Sequence, residues 1–152
     1  MPPDGDVPRT LSGFREATME LDNIYSMFPK ACNLSEAEYW SLLFIYEGTE
    51  TQSAIGSRLY LSRQTLNSAF KQLQAKGLVK LMPYEDNRRS KRAVLTDSGN
   101  EFVERYVLRM HRVEERAWQK LTDGEQESLT TLIRKFSDLI RWDLAGVEEK
   151  SK

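Results

Sequence analysis

The sequence predicts a mainly α protein with one small β-hairpin. Three observations carry that reading. Apolar residues recur at helical spacing along most of the 152 positions, helix-capping pairs punctuate them, and one central stretch reads as two short strands around a basic turn. Hydrophobic residues make up 39% of the chain, with only 8 Gly and 5 Pro, so it is neither low-complexity nor collagen-like and has the apolar surface to fold.

Taken in order, residues 1–10 are rich in Pro and Asp and read as a disordered tail. A first helix runs from Leu11 to about Phe28 on the spacing of Leu11, Phe14, Met19 with Leu21, Ile24, Tyr25 and Phe28, and Pro29 is expected to disturb any continuation. Ser35 and Glu38 form a capping box, with Leu34 and Tyr39 as a hydrophobic staple, opening a second helix from Glu36 to about Glu47 that Gly48 stops. Its apolar face is Tyr39 or Trp40, Leu42, Leu43 and Tyr46.

Thr51 and Ser62 are N-caps for two short helices, Gln52 to Leu59 and Arg63 to Lys76, the latter ended by Gly77. On the second of these, Leu66, Ala69, Phe70 and Leu73 form a face to bury, while Gln64, Asn67, Ser68 and Lys71 form an opposite stripe made only of hydrogen-bonding side chains. Leu78 to Met82 and Ala93 to Leu95 read as strands, joined by a polar turn with four cations near its end, Arg88, Arg89, Lys91 and Arg92. Thr96 caps a long helix to about Lys120 whose face is Phe102, Tyr106, Met110, Val113 and Ala117. A second capping box, Thr122 with Glu125, opens a last helix with Leu129, Leu132, Ile133, Phe136, Leu139, Ile140 and Leu144 on one side.

Counting excludes much chemistry. The single Cys32 permits no intrachain disulfide and no multi-cysteine metal site, and the single His111 permits no multi-histidine one, so no cofactor or metal is expected. Gly-rich phosphate loops, G-x-S-x-G and H-E-x-x-H are missing, and the adjacent pairs Glu114-Glu115 and Glu148-Glu149 point to different helix faces, so the chain does not read as an enzyme. No apolar run approaches the roughly 18 residues that span a bilayer, and the acidic start is unlike a signal peptide, so no membrane partner and a cytoplasmic location are expected.

The net charge is −1, but it is segregated. Residues 1–57 carry −6, residues 58–92 carry +7 and residues 93–152 carry −2. A basic block inside an acidic chain is the footprint of a surface that meets phosphates. It coincides with the two short helices and the hairpin, which together make a winged helix-turn-helix. In that arrangement the second helix enters the major groove, and Ser62, Arg63, Gln64, Thr65, Asn67, Ser68 and Lys71 face double-stranded DNA. Asn and Gln suit adenine, the Thr methyl suits thymine, and Arg63 and Lys71 suit phosphate. The hairpin suits a neighbouring minor groove, entered by Arg88 or Arg89.

The stretches Thr51-Gln52-Ser53-Ala54-Ile55-Gly56-Ser57-Arg58-Leu59, Leu61-Ser62-Arg63-Gln64-Thr65-Leu66, Lys76-Gly77-Leu78-Val79 and Asn87-Arg88-Arg89-Ser90, followed by Leu95-Thr96 and Gly99, resemble the MarR family of bacterial transcriptional regulators over roughly residues 11–145. The resemblance implies a homodimer of winged-helix subunits held by the first and last two helices. Such proteins often repress transcription and often leave DNA on binding a small phenolic or otherwise aromatic ligand, or on oxidation. Arg89, six residues before Leu95, matches the wing arginine. The wing aspartate slot falls on Asn87, with Asp86 one place early.

The long apolar stripes and three tryptophans, Trp40, Trp118 and Trp142, independently offer more apolar face than one small lobe can cover. The expected organisation is an N-terminal dimerisation helix at 11–34, a DNA-binding lobe at 35–98, C-terminal dimerisation helices at 99–146 and a charged tail at 147–152. The expected function is a sequence-specific, ligand-responsive repressor acting as a homodimer on a pseudo-palindromic operator. A protein-interaction module whose basic surface binds an acidic partner is the alternative. Tyr25, Phe28, Trp40, Phe44 and Tyr46 either line an effector pocket or belong to the core, Cys32 either senses oxidants or packs as a small apolar residue, and His111 reads as a surface or interface residue.

Overall fold

Side-chain oxygens start most of the helices, as the sequence implies. In the computed structural model, which describes residues 9–87 and 89–150, α1 (Leu11–Ala31) begins where Thr10 accepts from the Gly13 N–H at 3.0 Å. The Ser35–Glu38 capping box opens α2 (Glu36–Tyr46), with the Ser35 N–H donating to Glu38 Oε2 at 2.7 Å and the Glu38 N–H to Ser35 Oγ at 3.2 Å. Thr51 and Ser62 cap α3 (Gln52–Leu59) and α4 (Arg63–Ala75), each accepting an N–H at 3.1 Å. Strands β1 (Val79–Pro83) and β2 (Lys91–Leu95) pair antiparallel, Val79 opposite Leu95 and Pro83 opposite Lys91. Thr96 then caps α5 (Asp97–Phe102), which continues through a π-helical stretch (Val103–Val107) into α6 (Leu108–Trp118). Thr122 and Glu125 exchange the second reciprocal pair at the head of α7 (Asp123–Lys150).

Helix ends show the same economy. At α1, α2 and α4 the residue after the cap turns left-handed, at Asn33, Gly48 and Gly77, and the following N–H reaches back to Pro29, Phe44 or Leu73. These are Schellman closures, which satisfy carbonyls that the helix leaves unpaired.

Three expectations are corrected. Helix α1 does not yield at Pro29: the proline sits in the last turn, where the missing donor removes a single bond, and its carbonyl accepts from Cys32 and Leu34 at 3.0 and 2.9 Å. The long helix after Thr96 is not uniformly α. Its wide stretch turns Val103 and Val107 fully into the core, whereas Tyr106 and Val113 of the expected face are exposed. Finally, α7 passes through Gly146 and carries the helix into the expected charged tail, to Lys150. The part of the N-terminal tail at residues 1–8 lies outside the described residues, as does Arg88.

The chain divides into two compact units, Met1–Met110 and His111–Lys152. The core of the first is built on α2, which meets α1, α3, α4, β2 and the π-helical stretch. That encirclement explains why α2 lacks a clear polar face: Ala37, Tyr39, Ser41, Leu42, Leu43 and Ile45 are all buried, Trp40 is half-buried, and Tyr46 is exposed. Ile55, Leu66, Phe70 and Leu73 meet them from α3 and α4. Truncating a fully buried Leu42 to Ala would cost about 2–5 kcal/mol.

One charge is buried with them. Burial alone would raise the Glu38 carboxyl, but the Lys76 ammonium 2.7 Å away and the Ser35 hydrogen bonds outweigh it and hold the group below its ordinary value. The pair ties the start of α2 to the C-cap of α4.

Candidate nucleic-acid interface

The turn between α3 and α4 fixes how α4 is presented. Tyr60 adopts the left-handed conformation at φ 53°, its N–H and that of Leu61 both closing on the Gly56 carbonyl. A tyrosine pays roughly 1 kcal/mol for that backbone, yet its ring is 91% exposed. From this turn α4 leaves with Leu66, Ala69, Phe70 and Leu73 buried, and with Ser62, Arg63, Gln64, Thr65, Asn67, Ser68 and Lys71 all facing solvent. The polar stripe read from the sequence is therefore the outer face of the helix. Ser62 and Thr65 also bond each other, hydroxyl to hydroxyl at 2.8 Å.

The hairpin is anchored on two sides, by Glu50 along β2 and near the turn, and by Thr96 at its base. Ala93 donates its N–H to the Glu50 carbonyl at 2.6 Å, which ties the α2–α3 connection to β2, and Tyr84 donates its hydroxyl to the Glu50 carboxylate at 3.1 Å. On the other side the Thr96 N–H donates to Leu78 O at 3.1 Å and its hydroxyl to Gly77 O at 2.5 Å. Gly99 is what permits this approach, since a Cβ there would stand 2.0 Å from the Leu78 carbonyl oxygen. At the tip, Asn87 accepts the Arg89 N–H on its side-chain oxygen at 3.1 Å, and its carbonyl accepts from Ser90 at 3.1 Å. The residue in the aspartate slot thus shapes the turn as an Asx-type bend.

A groove of about 860 Å³ runs between α3, α4 and the hairpin. It brings Arg63 and Asn67 of α4 together with Arg89 and Lys91 of the wing. Gln64, Thr65, Ser68 and Lys71 are exposed on α4 and Arg92 on β2, outside the groove lining. Sequence reasoning missed Gln52 and Tyr60, which also line the groove. Gln52 Nε2 donates to Asn67 Oδ1 at 2.5 Å across fifteen positions, a pairing without any signal in local periodicity. The turn position of Tyr60 was legible only as the break between two helices.

Not every cation in the basic block is available. Lys76 is committed to Glu38. Arg58 lies 3.6 Å over the Phe44 ring, donates to Thr49 Oγ1 at 2.8 Å and approaches Glu47 at 3.8 Å. Both hold the lobe together.

Four of the five expected pocket aromatics form a chain of ring contacts, Phe28 to Tyr25 at 5.5 Å, Tyr25 to Trp40 at 6.0 Å and Trp40 to Phe44 at 6.4 Å, whereas the fifth, Tyr46, is exposed. Phe28 is buried, so it is part of the core. Cys32 is buried at the end of α1, and that burial pushes its thiol up, away from the thiolate that oxidant sensing uses. His111 is half-buried, its ring nitrogens 3.5 Å from carboxylates of Glu114 and Glu115. No group of three or more metal-ligating side chains occurs among the described residues, and no described helix is long and apolar enough to cross a membrane.

Residues 33–93 match the MarR family model. An HTH-type transcriptional regulator of Bacillus subtilis, YybA, is 25% identical over 133 residues, spanning 87% of this chain and 89% of that protein. Among solved structures, the S. aureus MepR–DNA complex superimposes with a TM-score of 0.69 at 20% identity, covering 86% of this chain and 96% of MepR. The PcaV regulator of Streptomyces coelicolor, in complex with its natural ligand, gives 0.64 at 19% identity, covering 90% and 97%. The motifs, the winged-helix fold and the family match over residues 33–93 agree, and all of them liken the chain to the MarR family of transcriptional regulators.

Proposed function

We propose that this protein is a MarR-family transcriptional regulator, a homodimeric repressor that binds a pseudo-palindromic operator and leaves it on binding a small aromatic effector. The observation that carries the DNA reading is the groove in which Arg63 and Asn67 of α4 face Arg89 and Lys91 of the wing. One helix with an adenine-reading amide and one basic hairpin, held on a common frame, match adjacent major and minor grooves. In this reading Asn67, Gln64 and Thr65 meet base edges. Ser62, Arg63, Ser68 and Lys71 meet phosphates and sugars, and Arg88, Arg89, Lys91 and Arg92 serve the wing. MepR, a protein of the same fold, forms a complex with DNA, which supports the DNA reading.

Dimerisation is supported by large apolar residues left exposed on α1 (Leu11, Phe14, Met19, Ile24) and along α7 (Leu129, Leu132, Ile133, Phe136, Leu139, Ile140, Leu144). A soluble protein that operates in the cytoplasm would cover faces of this kind with a second copy. The effector reading is supported by the ring chain from Tyr25 to Phe44 and by the ligand complex of PcaV. An effector acts only through different affinities for two arrangements of the paired recognition helices.

The test is a gel-shift titration on duplexes selected from genomic fragments. Binding should weaken steeply with salt, by about 10³ to 10⁵ between 50 and 200 mM for 6–10 phosphate contacts. Arg89→Ala should weaken it strongly, and Asn67→Ala should alter base preference more than bulk affinity. Wild-type affinity in Arg89→Ala would remove the wing from the interface.

A further inference from the structure

We propose that Gln52 is a specificity-determining positioning residue, which holds the Asn67 amide in the one orientation that reads an adenine edge; this rests on the DNA reading above. Gln52 is the first residue of α3 and Asn67 lies on the outer face of α4, so their side chains meet across the helix-turn-helix, on the wall of the groove shared with Arg63 and Arg89. The Gln52 Nε2–H donates to Asn67 Oδ1 at 2.5 Å. The polarity of that bond matters.

An asparagine reads adenine in bidentate fashion by accepting from N6–H on Oδ1 and donating from Nδ2 to N7. An exposed, unheld amide rotates freely about its last torsion, and its two orientations present these groups in opposite order. A donor fixed on Oδ1 occupies one of that oxygen's two lone pairs, which selects one orientation, and leaves the second lone pair and both Nδ2 hydrogens for the base. Gln52 therefore requires no contact with the base to influence which base is preferred. Asn67 has been oriented before DNA arrives, so the entropy of fixing it is not charged to the specific complex alone.

The same bond also couples α3 to α4 independently of the buried face. Ser53 and Thr51 flank Gln52 on the groove wall, but Thr51 is occupied in capping the Ala54 N–H. Gln52 is thus placed to act on Asn67 without being required for the helix start.

The experiment uses the full-length protein and a duplex obtained by selection, with every base pair under α4 replaced in turn. In wild type, one A·T pair should be discriminated by about tenfold, and Asn67→Ala should abolish that discrimination. Gln52→Ala and the near-isosteric Gln52→Met should each reduce it to about twofold while leaving binding to non-specific duplex within about twofold of wild type. The Gln52→Ala/Asn67→Ala double variant should lose no more than Asn67→Ala alone. Unaltered thermal melting of the Gln52 variants checks that the lobe is intact. Duplex binding by wild type with undiminished discrimination in both Gln52 variants, or losses that add in the double variant, overturns the proposal while leaving the DNA reading in place. A wild-type protein that ignores duplexes at low salt overturns the DNA reading, and this proposal with it.

Discussion

Replacing Gly99 by alanine adds one methyl group and should be among the most damaging small changes available to the lobe. The new Cβ would stand 2.0 Å from the Leu78 carbonyl oxygen and 2.9 Å from the carbonyl carbon, so the backbones must part by about 1 Å to reach even the closest contacts that real side chains make. Backbone is on both sides of the clash, and no rotamer relieves it. Parting them strains the two bonds that close the base of the wing, Thr96 N–H to Leu78 O and the Thr96 hydroxyl to Gly77 O. At about 0.5–1.5 kcal/mol for each of the two hydrogen bonds, with about 1–3 kcal/mol for overpacking, the loss is about 2–6 kcal/mol. For a chain of this size that lowers the melting temperature by ~10 °C. Gly146→Ala is the internal control: it lies inside α7 with nothing within 4 Å of its Cβ, so the same substitution should stabilise by about 0.5–1 kcal/mol. Circular-dichroism melts of the two variants beside wild type decide the matter. A Gly99→Ala protein melting within about 2 °C of wild type would refute the steric argument.

Three further outcomes follow from the same structure. The Glu38 carboxyl is held below its ordinary 4.5, so its pair with Lys76 stabilises fully above that value and is lost as pH falls through the depressed folded one. Glu38→Gln should therefore cost about 1–2 kcal/mol at pH 7, with the difference in urea midpoints narrowing as the pH is lowered toward 3; a pH-independent difference would contradict the pairing. At Tyr60, whose backbone is left-handed, Gly should give a more stable protein than Ala by about 1 kcal/mol, the reverse of the order found inside helices, and chemical denaturation would expose the opposite ranking. In the proposed dimer, Leu132→Glu on the exposed stripe of α7 should shift light-scattering mass toward that of a monomer at micromolar concentration, and a mass unchanged from wild type would move the interface elsewhere.

Local signals were legible where one residue acts on its near neighbours. Ser35 with Glu38, Thr51, Ser62, Thr96 and Thr122 all cap the helices that the sequence assigns to them, because a cap is complete within three residues. The outward stripe of α4 was legible for the same reason, being one helix face opposite another. What stayed hidden depends on partners distant in sequence or on departures from the regular period. A 3.6-residue spacing selects Tyr106 and Val113 as a buried face, but the π-helical stretch resets the phase and buries Val103 and Val107 instead. The need for glycine at position 99 exists only because Leu78 passes against it, and Gln52 acquires a role only because Asn67 lies opposite.

The tethering of Arg58 bears on how a polyanion perceives this protein. Its guanidinium is already stacked on Phe44 and flanked by Glu47, and Lys76 is likewise compensated by Glu38, so two of the nine positive charges in the basic block are already partnered within the lobe. Their field is spent at short range, within the lobe. The long-range attraction that would guide an incoming strand therefore arises from the rim formed by α4 and the hairpin, and the positive face of this lobe is narrower and more sharply aimed than a tally of lysines and arginines implies.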